Sequence, residues 1–289
     1  MQITQRSTLT VLYSPDPDDA FAWWGLITGR TALRAHVIRA RAVPLLESNE
    51  LCAQGIPDVA AISSAAWPFF SGDYAVLSSG ASVGRGYGPV LGARADRADL
   101  DFARARVAVP GNMTTGAALF RLLHPGAETV ECSCSEVPRR ILSGDVDAGV
   151  LIHEELMNWA DRGLRRVACL GEEWTARTGL PIPVGLIAVH RRLGTALIDE
   201  LADALRRSIH LAFARRAEAT AWAKRYSRET HPGIAERFIE MFTNEDSLDL
   251  APDCVEALRA LYGEGTARGL FPRVPTLEFA GAPREAAHS

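Results

Sequence analysis

Between residues 9 and 190 short apolar runs alternate with segments of helical spacing, and this alternation restricts the fold more than any other feature of the chain. Residues 9–13, 33–38, 59–63, 74–77 and 88–93 read as strands. Residues 19–28, 47–53 and a short stretch from Ser64 read as helices, the first capped by Asp18. Strands separated by helices in this way imply a mostly parallel sheet with helices on both faces. Residues 94–104 are rich in charge and poor in apolar side chains, which predicts a crossing into a second lobe. There the pattern resumes, with strands predicted over 106–109, 128–132, 148–152, 167–170 and 183–190 and helices over 112–123, 135–142 and 154–160. Pro181 and Pro183 favour extended backbone around Ile182, which suits a strand crossing back.

From Leu193 onward the period changes. Leu197, Leu201, Leu205 and Ile209 recur at helical spacing, as do Ile234, Phe238 and Phe242, then Val255, Leu258 and Leu261. The expected architecture is an α/β two-lobed clamshell. Residues 1–100 and 191–289 form a large lobe with the C-terminal helices packed on it, residues 101–190 form a small lobe, and a ligand sits in the cleft between them. The last residues, from about Phe279, are expected to be frayed.

Composition narrows the function classes. A hydrophobic fraction of 47% in 289 residues is enough for a sizeable core without disulfides or metals. The net charge of −4, with acids and bases interspersed, leaves no footprint for nucleic acid or an anionic membrane. The five cysteines include one close pair, Cys132 and Cys134, with no second pair to complete a zinc site, and they read as reduced thiols. No apolar signal core opens the chain and no stretch is long enough to span a bilayer, so a cytoplasmic location is expected.

Four segments can carry chemistry at the strand ends. The apolar run Ala148-Gly149-Val150-Leu151-Ile152 stops at His153, followed by Glu154 and Glu155. A buried strand delivering histidine to its C-terminal edge places a proton-transfer group where α/β proteins bind ligands. Ser14-Pro15-Asp16-Pro17-Asp18-Asp19 joins the first strand to a helix N-terminus, where free N–H groups favour an oxygen-rich ligand or where Ser14 or Asp18 simply caps. Ser79-Gly80-Ala81-Ser82-Val83-Gly84-Arg85-Gly86-Tyr87-Gly88 permits close backbone approach. It is neither a Walker loop nor a dinucleotide fingerprint, and it reads equally as a long hairpin or a ligand cradle, with Arg85 holding a carboxylate or facing water. Gly111-Asn112-Met113-Thr114-Thr115-Gly116 sits between strand and helix, and its hydroxyls and N–H groups can seat an oxyanion or carboxylate. No HExxH cluster points to a metal and no Gly-x-Ser-x-Gly elbow to a serine hydrolase.

Taken in order, these segments resemble the 1,4-dihydroxy-6-naphthoate synthase family of the futalosine route to menaquinone. The resemblance rests on residues 79–89, 107–115 and 147–154 and on Thr178-Gly179-Leu180-Pro181-Ile182-Pro183-Val184-Gly185. It implies a fold like that of the type II periplasmic binding proteins. It also implies a lyase that cleaves cyclic dehypoxanthine futalosine to 1,4-dihydroxy-6-naphthoate and a dihydroxyacetone-type fragment, without metal or redox cofactor. On that resemblance His153 is the base, and Asn49, Ser63, Thr114 and Thr115, with Gly116 beside them, contact the substrate. Ser14 and Arg85 complete the expected site. The chain departs from the family pattern at Asp16, where cysteine is usual, at Ala60 and Ala61, where Thr-Lys is usual, and at Tyr87, again for cysteine. An added carboxylate and a lost lysine make the cleft more negative, which predicts weaker binding of a carboxylate substrate. The competing readings are a cytosolic clamshell that binds a small carboxylate without chemistry, and a related enzyme acting earlier in the same route.

Overall fold

The computed structural model describes residues 7–97, 100–228 and 231–281. The N-terminal residues read for a signal core, part of the predicted crossing at 94–104 and the terminal residues 282–289 lie outside the described residues. Two sheets are present. In the first, β1 (Ser7–Tyr13) pairs in parallel with β2 (His36–Ala42) and with β3 (Val59–Ser63). Strand β11 (Ile182–His190) lies antiparallel between β3 and β4 (Tyr74–Leu77), and its first residues also pair with β5 (Ser82–Gly84). A short β12 (Phe279–Ala280) pairs in parallel with β4, so these terminal residues are tied down rather than frayed.

Side chains on β1 alternate between two cores, as the pleat requires. Leu9, Val11 and Tyr13 face helices Pro17–Ile27 and Thr195–Ala214 through Trp23, Leu26, Leu201, Leu205 and Ile209. Leu12 faces the other way, toward Ile62, Trp67, Tyr74 and the helix Pro252–Ala267 through Leu258 and Tyr262. This second core runs on without a break into the other lobe, through Val107, Val109, Phe120 and Trp174. The C-terminal helices thus pack on the first sheet, as the apolar period predicts.

The second sheet has the order β10-β6-β9-β7-β8, built from β6 (Val90–Arg94), β7 (Arg106–Pro110), β8 (Glu128–Cys132), β9 (Ala148–Leu151) and β10 (Leu164–Cys169). Strand β7 is parallel to its neighbours β8 and β9, whereas β6 runs antiparallel to β9 and β10. The run expected at 88–93 in the first layer therefore belongs to the second sheet, and β11 belongs to the first. The chain leaves the first sheet after Gly84 and re-enters it at Ile182. An apolar run has the same appearance in either sheet, and here long-range pairing decides. The strand expected at 33–38 lies later, because Arg39 and Arg41 belong to a half-exposed edge strand. The helix expected at 154–160 is instead two short 3-10 turns, His153–Leu156 and Ala160–Arg162. No helix among the described residues is long and apolar enough to cross a membrane.

The glycine-rich stretch is the crossing itself, not a hairpin within one sheet. A Cβ on Gly171, at the start of helix Leu170–Thr178, would lie 2.2 Å from the Tyr87 carbonyl carbon and 2.6 Å from the Gly88 nitrogen. Backbone meets backbone there, and neither side has a flexible atom to give way. Gly171→Ala should therefore cost about 1–3 kcal/mol of stability or more. Chemical denaturation checks this, and an unchanged midpoint would contradict the crossing geometry.

Candidate active site

The loop after β1, the turn after β3, the glycine-rich crossing, the start of helix Thr115–Leu123 and the turn after β9 converge on one cavity between the sheets. It is lined by Ser14, Ser63, Thr114, Thr115, Gly116 and His153, among others. Its volume is about 90 Å³. Sites for organic ligands usually measure roughly 300–1,000 Å³, so the cavity is narrow in this arrangement of the lobes.

His153 follows β9 after Ile152 and is the non-glycine residue among those described with a positive φ, at 56°. A left-handed backbone costs an L-residue roughly 1–2 kcal/mol. In this conformation its ring, only 8% exposed, reaches across the gap, where Nδ1 lies 2.8 Å from Asp16 Oδ2. Asp16 is itself 2% exposed. Its Oδ2 also accepts from the Ser14 hydroxyl, and its Oδ1 lies 3.0 Å from Arg228 Nη2.

Three carboxylates share this end of the cavity, and their surroundings separate them. Burial alone would raise Asp16, but the His153 imidazolium and Arg228 outweigh it and hold the carboxyl down at about 2. Burial pushes Asp18 up to about 6, with the Asp16 charge adding to the effect and the Ser82 hydroxyl, 3.0 Å away, opposing it. Burial and the neighbouring Asp18 raise Asp19 well above the carboxylate range, although its Oδ2 accepts from the Ser14 N–H at 2.7 Å. Burial disfavours the charged form of His153, yet Asp16 more than compensates and lifts the ring well above the ordinary histidine value, with the Cys134 thiol contributing. Helix Pro17–Ile27 begins one residue before the predicted cap, and the residue at the cap position, Asp16, turns its carboxylate to His153 instead of to the helix.

The helix start at Thr115 differs from expectation in which groups are free. The Thr114 hydroxyl caps its helix, accepting from Ala117 N–H at 3.3 Å and donating to the Gly111 carbonyl at 2.9 Å. The Thr115 hydroxyl donates to the Val184 carbonyl at 2.7 Å and accepts from Ala65 N–H at 3.2 Å, which ties the second lobe to β11. What remains for a ligand is backbone. The N–H groups of Thr115 and Gly116 precede the first intrahelical bond, from Ala118 N–H to the Thr114 carbonyl. A side chain at Gly116 would meet Val150 and Ile152 at 3.0 Å, so the helix start lies close against β9.

Two residues expected at the site do not line the cavity. Asn49 is fully buried and holds Ser63, accepting from its N–H at 3.0 Å and donating to its hydroxyl at 3.2 Å. Arg85 is bound to Asp246 and Asp253 of the C-terminal part, each at 2.7 Å, and secures the crossing. Tyr87 donates to the Met241 carbonyl and packs on Phe242. Ala61 does line the cavity. Asp16, Asp18 and Asp19, from the segment read as a cap or a ligand seat, also line the cavity, whereas Leu156, and Phe238 and Phe242 from helix Ile234–Phe242, carried no such signal in the sequence.

The raised Asp18 and lowered Asp16 affect stability with opposite sign. Asp16, depressed in the folded state, contributes stability that is present above the unfolded carboxyl value near 3.8 and lost as pH falls toward about 2. Asp18, raised in the folded state, contributes stability below about 3.8 that is lost as pH rises through about 6. Asp18→Asn should accordingly gain in melting temperature over the parent protein more at pH 8 than at pH 5. Equal differences at both pH values would contradict a buried, proton-holding Asp18.

A family described as menaquinone biosynthesis matches residues 9–267. The chain is 35% identical to the 1,4-dihydroxy-6-naphthoate synthase of Streptomyces coelicolor, over 92% of this chain and 95% of that one. It is 34% identical to the enzyme of the same name from Thermus thermophilus, over 91% and 96%. Among solved structures, a protein from Archaeoglobus fulgidus superposes with a TM-score of 0.86 at 34% identity, covering 91% of this chain and 98% of that one. The alkanesulfonate-binding protein SsuA from Xanthomonas axonopodis has a TM-score of 0.70 at 16% identity, over 94% and 96%, a likeness of fold and of nothing more. This is the two-lobed fold of the periplasmic binding proteins, and the chain belongs to the menaquinone biosynthesis family.

Proposed function

We propose that the protein is a 1,4-dihydroxy-6-naphthoate synthase, a lyase acting on cyclic dehypoxanthine futalosine, with His153 as its base. The observation that carries the reading is the imidazole at the cleft edge, paired at Nδ1 with Asp16, with helix N–H groups in the same cavity lining. Its relatives of that name, matched over nearly their whole length, supply the reaction. In the cleft, His153 Nε2 removes a proton from carbon next to a substrate carbonyl. The electron pair of the broken C–H bond forms an enolate; its collapse breaks the bond between the adjacent carbon and the smaller fragment, which leaves with that bond's electron pair and takes up the proton held on Nε2. A base of this kind contributes roughly 10²–10⁴-fold.

The substrate carboxylate belongs at Thr115 and Gly116, because the first turn of a helix favours negative charge and the loop after β1 already brings three acids to the cavity. Ser63, fixed by Asn49, and Ser14 then face hydroxyls of the sugar-derived part. Closure of the lobes excludes water from the enolate. A cytoplasmic setting goes with this reading, and the five cysteines are all unpaired thiols.

The test is incubation of the purified protein with cyclic dehypoxanthine futalosine and mass spectrometry for the naphthoate. The wild type should form it, and His153→Ala should fold, bind and lose at least 100-fold in kcat. Because the ring must give up its proton to act as base, kcat/KM should rise with pH through a value above ordinary histidine's 6.5. Near-normal turnover by His153→Ala would remove the base assignment. A ligand that stabilises the fold without product formation would favour the binding-only clamshell, a role the SsuA-like fold also serves.

A further inference from the structure

Asp16 and His153 come from different lobes, and this is what makes their contact informative. Asp16 follows β1 of the first sheet, and His153 follows β9 of the second. Their 2.8 Å contact exists only while the two sheets stand in this arrangement. Asp16 is also held from its own side, by the Ser14 hydroxyl two residues away and by Arg228 from the C-terminal part. The same C-terminal segment reaches the second lobe beside the histidine. Arg228 N–H donates to Glu154 Oε2 at 2.7 Å, and the Ser227 hydroxyl donates to Glu154 Oε1 at 2.5 Å. The charged contacts of the catalytic turn and the lobe-to-lobe contacts are therefore one cluster.

We propose that Asp16 is the positioning residue for His153: its carboxylate takes the Nδ1–H across the cleft, leaving Nε2 as the proton acceptor, so that the base is assembled only when the lobes meet. The inference rests on the reading of His153 as the base. Nδ1 paired with an acceptor-only carboxylate must carry the proton, which leaves the lone pair on the other nitrogen. The left-handed backbone of His153 places the ring in reach, and the ion pair offsets its strain. When the lobes part, Asp16 keeps Ser14 and Arg228, while the ring loses its carboxylate and its orientation. The other ionisable groups around the ring are Asp18 and Asp19 from the first lobe and Cys134 from the second, with Arg228 and its neighbours Glu154 and Glu155 alongside. Asp16 is the carboxylate in direct contact.

The experiment is a pH titration of the ¹⁵N-labelled, ligand-free protein, following the ring nitrogens of His153 in long-range ¹H–¹⁵N spectra and assigning them by their loss in His153→Ala. In the wild type the neutral ring should carry its proton on Nδ1. In Asp16→Asn the titration midpoint should fall by about one pH unit or more, whereas Asp16→Glu, which keeps the charge, should retain most of the elevation. Turnover adds a second readout: Asp16→Asn should lower kcat at least tenfold, leave KM within a few-fold, and move the acid limb of kcat/KM to lower pH. A neutral ring protonated on Nε2 in the wild type would overturn the proposal even if no Asp16 variant folds. So would an unmoved midpoint, or an unmoved acid limb with full kcat, in Asp16→Asn. Absence of any turnover by the wild type would instead remove the assigned reaction, while the spectra would still decide the role of Asp16.

Discussion

The ion pair between Asp16 and His153 is the interaction on which the rest of the site depends, because it spans the gap between two separately built sheets. Each partner is nearly inaccessible to water, so neither is stable as an isolated charge. Together they stabilise one another. Burial disfavours both ions, and each reverses that effect for the other, which is why the acid is held low and the imidazole high. Breaking such a pair by removing one member commonly costs about 3–5 kcal/mol. Lobe separation avoids that cost because both groups then meet water. The same contact is favourable when the cleft is shut and dispensable when it is open, which is the behaviour a gated active site requires.

The cavity is lined both by acids and by a helix start. Asp16, Asp18 and Asp19 crowd one end, and their mutual repulsion together with burial leaves Asp18 and Asp19 holding protons more readily than ordinary carboxyls. A protonated carboxyl can donate as well as accept, so this end suits hydroxyl and carbonyl groups. The helix start at Thr115 and Gly116, against β9, supplies N–H groups to the cavity lining, where negative charge is favoured. The cleft is therefore not uniformly hostile to an anion, although the sequence, with a carboxylate gained and a lysine lost, suggests so. The direction in which the acids face, and the charge they carry when buried, decide the outcome.

What the sequence made legible was chemistry at strand ends. His153 after an apolar run and the two threonines before a helix are local signals, Ser63 was implied by the family resemblance, and all of them line the cavity. What it did not make legible was partner choice over distance. The side chain of Arg85 is taken up by Asp246, 161 residues further on, and no local pattern announces that. Asn49, a ligand contact on the family resemblance, has both amide atoms bonded to Ser63, a pairing that no local pattern announces. Phe238 and Phe242 sit at the same helical spacing as any core residue, and only the tertiary fold turns them toward the cleft. The strand β6 was readable as a strand, but its membership of the second sheet rests on pairing with β9 and β10. The Asp16 carboxylate read only as an added negative charge, and its contact with His153 exists because two distant strand ends face one another.

The most direct measurement is a crystal structure of His153→Ala with cyclic dehypoxanthine futalosine held unreacted in the cleft. The account predicts lobes closed on the ligand, its carboxylate at the N–H groups of Thr115 and Gly116, and its acidic carbon facing the space left by the imidazole, at the roughly 3–3.5 Å that a proton acceptor there would need. A ligand bound with its carboxylate at the three acids, or with no C–H bond directed toward position 153, would contradict it.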